Sequence, residues 1–337
     1  MTSLTFGLGV MPWHPPDRFV RIAQMAEALG FTTLWVPDER FFYDCYSYMT
    51  LAARATTRLR MGPCVTDPYS RHPALTAAAM YTLHELSGGR MVLGIGAGAS
   101  GFDAMGIDRP RPAVAIREAV ELIRKLGTGD DATCHGELIQ FHGGTLHFRP
   151  TGLFPVYVAG RGPKILELAG RIGDGVIIGA LASPETLGYA MKAVRAGAAR
   201  AGRSMDDLDR MIWLHTAVHA DGGAAKDAVR KIVAGVLVSS KPVLNDLGVR
   251  LSPEMSEALA QSTYGMHSAS MARVTELVDD DLLRHFTMAG DPEYCRAKAR
   301  DLAAGGITHL AALPWLAPGQ SIEEFIETFA REVIAKV

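Results

Sequence analysis

Short apolar or β-branched runs alternate with longer amphipathic stretches along almost the whole chain, and few folds accept that rhythm. Leu4–Val10 reads as a strand and Asp17–Leu29 as a helix. The pairing repeats as Thr33–Pro37 with Tyr46–Thr57, Leu59–Val65 with Pro73–Leu86, and Met91–Ile95 with Ala113–Leu126. Gly30, Gly88-Gly89 and Gly127 stand where a left-handed helix terminus favours glycine. After an interruption it resumes as Val156–Ala159 with Pro163–Ile172, Gly175–Ile178 with Pro184–Ala201, and Met211–His219 with Ala224–Val238. A helix over Asp291–Ala304, a strand over Ile307–Leu313 and a helix over Ile322–Ile334 close the series. Strand–helix alternation implies a parallel sheet. Eight units imply a closed (β/α)8 TIM barrel rather than an open doubly wound sheet.

The expected organisation is one domain over residues 1–337 with two insertions. The first, about 128–150, holds two turn-rich strand candidates around Gly143-Gly144 and reads as a hairpin. The second, about 240–285, reads as irregular and helical without a clear strand. A dinucleotide-binding fold finds little support. Gly94–Gly98 reads Gly-Ile-Gly-Ala-Gly, with the third glycine at the wrong spacing.

Composition excludes several partner classes. The formal net charge is −2, so no basic excess points to nucleic acid or to an anionic membrane. No run approaches the roughly 18 uninterrupted apolar residues of a spanning helix, and no leader pattern opens the chain. Cys45, Cys64, Cys134 and Cys295 are scattered, without disulfide or metal-site spacing. The expectation is a cytoplasmic protein with no bound metal and a small-molecule substrate.

In a barrel, chemistry sits at the C-terminal ends of the strands. That rule selects Met11 to His14, Asp38 to Arg40, Cys64 to Pro73, Gly96 to Gly101, Gly160 to Lys164, and Gly179. Gly160-Arg161-Gly162-Pro163-Lys164 carries the clearest signal. Two glycines admit close backbone approach, Pro163 suits a first helical turn, and the helix N-terminus and two cations favour phosphate. An ordinary tight loop would look the same. Asp38 and Glu39 open into the expected mouth, where they either do chemistry or organise the loop with Arg40. His72, before Pro73, reads as a helix cap or loop anchor more readily than as a catalyst. Trp13 and His14 either line a pocket or cover the barrel end.

Together these segments resemble the luciferase-like monooxygenase superfamily, and within it the branch of coenzyme F420-dependent reductases that includes the methylenetetrahydromethanopterin reductases. The residues carrying the likeness are Trp35 to Arg40, Gly62 to Pro73, Leu86 to Gly96, Gly160 to Gly170 and Asp174 to Val176. The resemblance implies hydride transfer between reduced F420 and a small organic substrate. It implies a ring lying in the barrel mouth near Asp38, Cys64, Val65, Gly96, Gly98 and Gly179. It places the cofactor phosphate at Gly160, Arg161, Gly162 and Pro163, and a non-prolyl cis peptide at Cys64–Val65 behind the ring. Asp38 and Glu39 are then the catalytic candidates. A homodimer is expected on the same ground.

The chain also departs from that pattern. F420-dependent alcohol and sugar-phosphate dehydrogenases carry Asp-His after the second strand, where this chain has Asp38-Glu39. They also carry a carboxylate after the glycines of the fourth, where it has Ala99. The pterin reductases carry a Glu at the end of the first strand, where it has Gly9. Two other readings stay open. One is a flavin mononucleotide (FMN)-dependent monooxygenase of the same fold. The other is a non-catalytic cofactor-binding or storage barrel.

Overall fold

The computed structural model describes residues 4–98, 100–262 and 269–337. Ala99 and part of the second insertion, 263–268, lie outside them. Eight parallel strands form the barrel wall: β1 (Thr5–Gly9), β2 (Thr33–Val36), β3 (Arg60–Pro63), β4 (Leu93–Ile95), β7 (Val156–Gly160), β8 (Gly175–Gly179), β9 (Asp209–Val218) and β11 (His309–Pro314). Their order is β3-β2-β1-β11-β9-β8-β7-β4. Bridges from Met61 to Met91 and from Thr66 to Ile95 then bring β4 back against β3.

The helices packed outside are α1 (Pro16–Ala28), α2 (Cys45–Ala55), α3 (Pro73–Leu86), α4 (Pro112–Gly127), α5 (Pro163–Ile172), α6 (Pro184–Arg200), α7 (Gly222–Ser240), α11 (Pro292–Ala304) and α12 (Ile322–Glu332). Their starts are written in the sequence. Proline opens α1, α3, α4, α5, α6 and α11, where a missing N–H costs nothing. Asp44, Ser183, Asp221, Asp291 and Ser321 cap helices with side-chain oxygens.

Three expectations need correction. The first insertion is a hairpin of β5 (Ala132–His135) and β6 (Gln140–Gly144), but it turns at residues 136–139 and not at Gly143-Gly144. The Glu118 carboxylate makes that turn, accepting the N–H groups of Glu137, Leu138 and Ile139. Gly127 stays inside α4, and Gly129 takes the left-handed conformation instead (φ 80°). A short strand, β10 (Thr287–Gly290), escaped the sequence pattern. It pairs with residues 215–218 of β9, beyond the stretch 209–213 that β8 occupies. The second insertion is helical as expected, with α8 (Pro253–Gln261), α9 (Ala269–Glu276) and α10 (Asp280–Phe286).

The barrel interior is filled by large rings set against glycines. Trp35 lies at its centre, 1% exposed. A Cβ on Gly7 would stand 2.8 Å from its indole, and one on Gly62 3.1 Å. Gly175 makes the same allowance for Tyr157, at 2.7 Å. The polar edges of these rings are satisfied at the lower end of the barrel. Trp35 Nε1 donates to His309 Nε2 at 3.0 Å. The proton therefore sits on His309 Nδ1, which faces Thr5 Oγ1 at 2.8 Å. Tyr157 donates its phenol to Asp209, which also accepts from Thr308.

Burial holds the His309 pKa below its ordinary 6.5, and Asp209 opposes that only in part. The sign follows by linkage. The unfolded chain takes a proton below pH 6.5 that His309 refuses, so stability is full above that pH and drains as pH falls. His309→Gln should remove up to about 1.4 kcal/mol per pH unit of this acid slope between pH 6 and 5. Denaturant titrations across that range test it, and an unchanged slope in a folded variant refutes the assignment.

Candidate active site

The strand ends at the mouth are tied together by Arg40. Its side chain is 7% exposed and pairs with the fully buried carboxylate of Asp67. Nη1 donates to the Asp38 carbonyl at 2.8 Å. The guanidinium lies 4.3 Å from the centre of the Phe102 ring, and Arg109 approaches the same ring at 4.6 Å. Asp67 also folds its own loop, accepting the N–H groups of Tyr69 and Ser70 at 2.7 Å each. One cation thus joins the loops after β2, β3 and β4. Gly98 belongs to this clamp. Its φ is 71°, and a Cβ there would stand 2.6 Å from Phe102 and 2.8 Å from Arg40.

Asp38 and Glu39 emerge half-buried from β2. The Asp38 carboxylate accepts from Thr66 Oγ1 at 2.8 Å, and Thr66 accepts from the Tyr46 phenol at 3.0 Å. Glu39 accepts from the Ser100 hydroxyl. Arg40 meets the Asp38 backbone and pairs with the Asp67 side chain, and its Nη1 also lies 4.0 Å from Glu39 Oε2, so the expected ion pair forms with Glu39 and Asp67 is a further loop-organising partner. Burial raises both pKa values, while hydrogen bonds from Thr66 or Ser100 and the Arg40 charge pull them back.

The remaining candidates divide by what surrounds them. The Cys64–Val65 peptide is cis, as expected. Cys64 is buried beneath the mouth and Val65 is partly exposed. Gly96 faces Val65 and Ala159, with an added Cβ 3.0 and 3.4 Å from their side chains. Gly162 precedes α5 with open space where a Cβ would stand, and Pro163 opens the helix. Gly160 has an internal reason to be glycine, because a Cβ would meet Ile165 at 2.5 Å. A Val there would disturb α5 as well as any ligand. Arg161 crosses to protein partners. Nε donates to the Gly179 carbonyl at 2.9 Å, and Nη1 donates to Ser239 and Ser240 at 2.9 and 2.7 Å. His72 caps α3 through Nδ1. Trp13 is 54% exposed and donates to His14 Nε2 at 3.2 Å.

The sequence reading missed Trp213, His215 and Trp315. Positions 213 and 215 share the inward face of β9 by strand alternation, which was the available signal. Trp315 Nε1 donates to His215 Nδ1 at 3.0 Å, so the His215 proton sits on Nε2. Burial, with Arg161 adding to it, lowers the His215 pKa to about 3. The imidazole is therefore a neutral N–H donor at working pH. A groove of about 920 Å³ lies elsewhere, between α6 and α11. It runs along the outer helices from Ala182–Pro184 to Gly305, and we place the chemistry at the mouth.

The luciferase-like monooxygenase profile matches residues 2–309. The chain belongs to this family. It is 33% identical over 335 residues to 5,10-methylenetetrahydromethanopterin reductase of Methanolobus tindarius, covering 98% of the chain and 100% of the relative. It is 30% identical over 340 residues to F420-dependent glucose-6-phosphate dehydrogenase of Intrasporangium calvum, covering 95% and 94%. The fold matches the coenzyme F420-dependent tetrahydromethanopterin reductase of Methanopyrus kandleri with a TM-score of 0.85, at 29% identity over 99% of each chain.

The Arg40 clamp yields a prediction. Removing one partner of a buried ion pair leaves the other charge uncompensated and costs about 3–5 kcal/mol. Asp67→Asn should lose stability on that scale in denaturant unfolding. A loss below about 0.5 kcal/mol, typical of an exposed pair, would remove the clamp from the account.

Proposed function

We propose that this chain is an F420-dependent oxidoreductase that passes a hydride between the deazaflavin and a small organic substrate at the barrel mouth. The observation that carries the proposal is the end-to-end likeness to enzymes named for F420, in sequence and in fold. The residues present fit such a cofactor. The start of α5 offers unpaired N–H groups beside the open space at Gly162, which suits a phosphate. The backbone at Gly96 packs closely on Val65 and Ala159, giving an apolar strand end without a bulky side chain, which suits a ring.

When bound, the cofactor supplies or accepts the hydride at its ring. The chain's own residues then have three tasks. Gly160 to Pro163 hold the phosphate, with Arg161 fixing the loop against Gly179 and α7. Cys64, Val65, Gly96, Gly98 and Gly179 shape the ring's seat. Asp38 lies at the polar edge of that seat and Glu39 beside it, each able to hold a proton at a carboxyl oxygen. Their raised pKa values suit that role, since burial keeps the acid protonated to a higher pH than usual. In the direction that consumes a proton, turnover falls as pH rises through the raised value.

We further propose a cytoplasmic homodimer without a nucleic-acid partner. The exposed side chains of Phe41, Tyr43, Leu51 and Leu75 support an interface on the α2–α3 side. Among the described residues, no helix is long and apolar enough to cross a membrane.

Fluorescence titration with F420 and with FMN tests the cofactor. F420 should bind at least about tenfold tighter, a difference of about 1.4 kcal/mol; tighter FMN binding would overturn the proposal in favour of flavin chemistry. Asp38→Asn and Glu39→Gln test the acids. Loss of the proton donor should lower turnover by about 10²–10⁴-fold, and wild-type turnover in both singles and the double variant would remove the role.

A further inference from the structure

Position 9 ends β1 on the inward face of the barrel, and its environment is unusual. A Cβ on Gly9 would stand 2.5 Å from Trp213 Cη2 and 2.8 Å from Cζ3, with Leu313 Cδ1 at 3.2 Å. Trp213 belongs to β9, and β11 lies between β9 and β1 in the sheet. The indole therefore reaches past β11 and fills the space that a β1 side chain would use. It packs on the buried interior cluster that contains Trp35, Cys64 and Met211, yet remains partly exposed. It is thus a wall of the mouth and not part of the sealed core.

The chemistry of that wall follows. Gly9, Leu313 and Trp213 are uncharged, as are Val65, Gly96 and Ala159 next to them. The nearby charged side chains are held off the wall by the protein: Asp38 by Thr66, Glu39 by Ser100 and Arg40, and Arg161 by Gly179 and the end of α7. A flat, uncharged molecule gains by stacking on an exposed indole face. A carboxylate or ammonium placed there would lose its hydration with no charge of opposite sign at the wall.

We propose that Trp213 is the specificity-determining residue of the mouth, and that it selects flat, uncharged, conjugated acceptors such as cyclic enones. This inference rests on the F420 reading above. Gly9 is its necessary complement, since no other residue leaves room for the indole.

The test compares a neutral cyclic enone with the same ring bearing a carboxylate. Reduced F420 is the donor, and the F420 dissociation constant is measured alongside. The wild type should favour the neutral ring. Trp213→Ala should lower the neutral-to-charged ratio of kcat/KM by about tenfold or more, the scale of a lost apolar subsite contact. The change should fall mainly on KM for the neutral ring, with F420 affinity unchanged. Trp213→Phe keeps an aromatic face and should stay within about threefold of the wild type. It also keeps the test readable if Trp213→Ala does not fold, because a ratio that collapses in Trp213→Phe alone would contradict stacking. A wild type that binds F420 but reduces the charged ring better, or neither ring, overturns the inference and leaves the cofactor reading standing. So does an unchanged ratio in a folded Trp213→Ala. A wild type that binds no F420 overturns both.

Discussion

A closed barrel must fill its own axis, and here one indole does most of that filling. Trp35 sits at the centre with its N–H on His309, and the strands around it are shaped to its outline. Gly7 is glycine because His309 and the indole together leave no room for a Cβ, and Gly62 because a Cβ would run into the Val92 carbonyl, with the indole at 3.1 Å. Close packing of this kind tolerates little change in volume. The next layers repeat the device, with Tyr157 against Gly175 and Trp213 against Gly9. Large rings on one strand and glycines on another thus carry the interior from its polar lower end to the mouth. The floor of the active site is the top of this stack, so its shape is inherited from the packing below.

Above that floor, electrostatics decides the geometry. The Arg40 guanidinium is withdrawn from water and can remain charged only because Asp67, a backbone carbonyl and an aromatic face surround it. Such a group is costly to bury and fixes its neighbours in place. It leaves the Asp38 carboxylate to Thr66 and the Glu39 carboxylate to Ser100. Both acids are shielded, and the Arg40 charge, with Nη1 4.0 Å from Glu39 Oε2, offsets only part of the burial that raises their pKa values.

The barrel was legible because its signals are local. Strand period, Pro and Ser or Asp at helix starts, and the count of units are each visible within about a dozen residues. What escaped depends on distant partners. β10 is four residues long and becomes a strand only where β8 vacates the edge of β9. The hairpin turn is fixed by Glu118, nearly twenty residues upstream, so Gly143-Gly144 gave a misleading cue. At the site, Asp38 and Glu39 were found by the rule that strand ends face the mouth. Trp213 and His215 lie inside the predicted strand Met211–His219 and not at its end, so the strand-end rule did not select them. Gly9 was visible only as a missing acid, and its meaning required the ring of a residue two hundred positions away. Arg161 stood out by its charge, but that its side chain reaches the end of α7 could not be seen from the sequence.

The central claim is that the cofactor ring lies in the mouth on the seat formed by Val65 and Gly96, with the substrate space between it and the wall formed by Trp213. A crystal structure of the chain with F420 bound measures this directly. The account predicts the ring over Val65 with its polar edge toward Asp38, and the phosphate at the start of α5 beside Gly162. A ring bound outside the strand ends, for instance in the groove between α6 and α11, would contradict it, as would a phosphate held away from the Gly160–Pro163 loop.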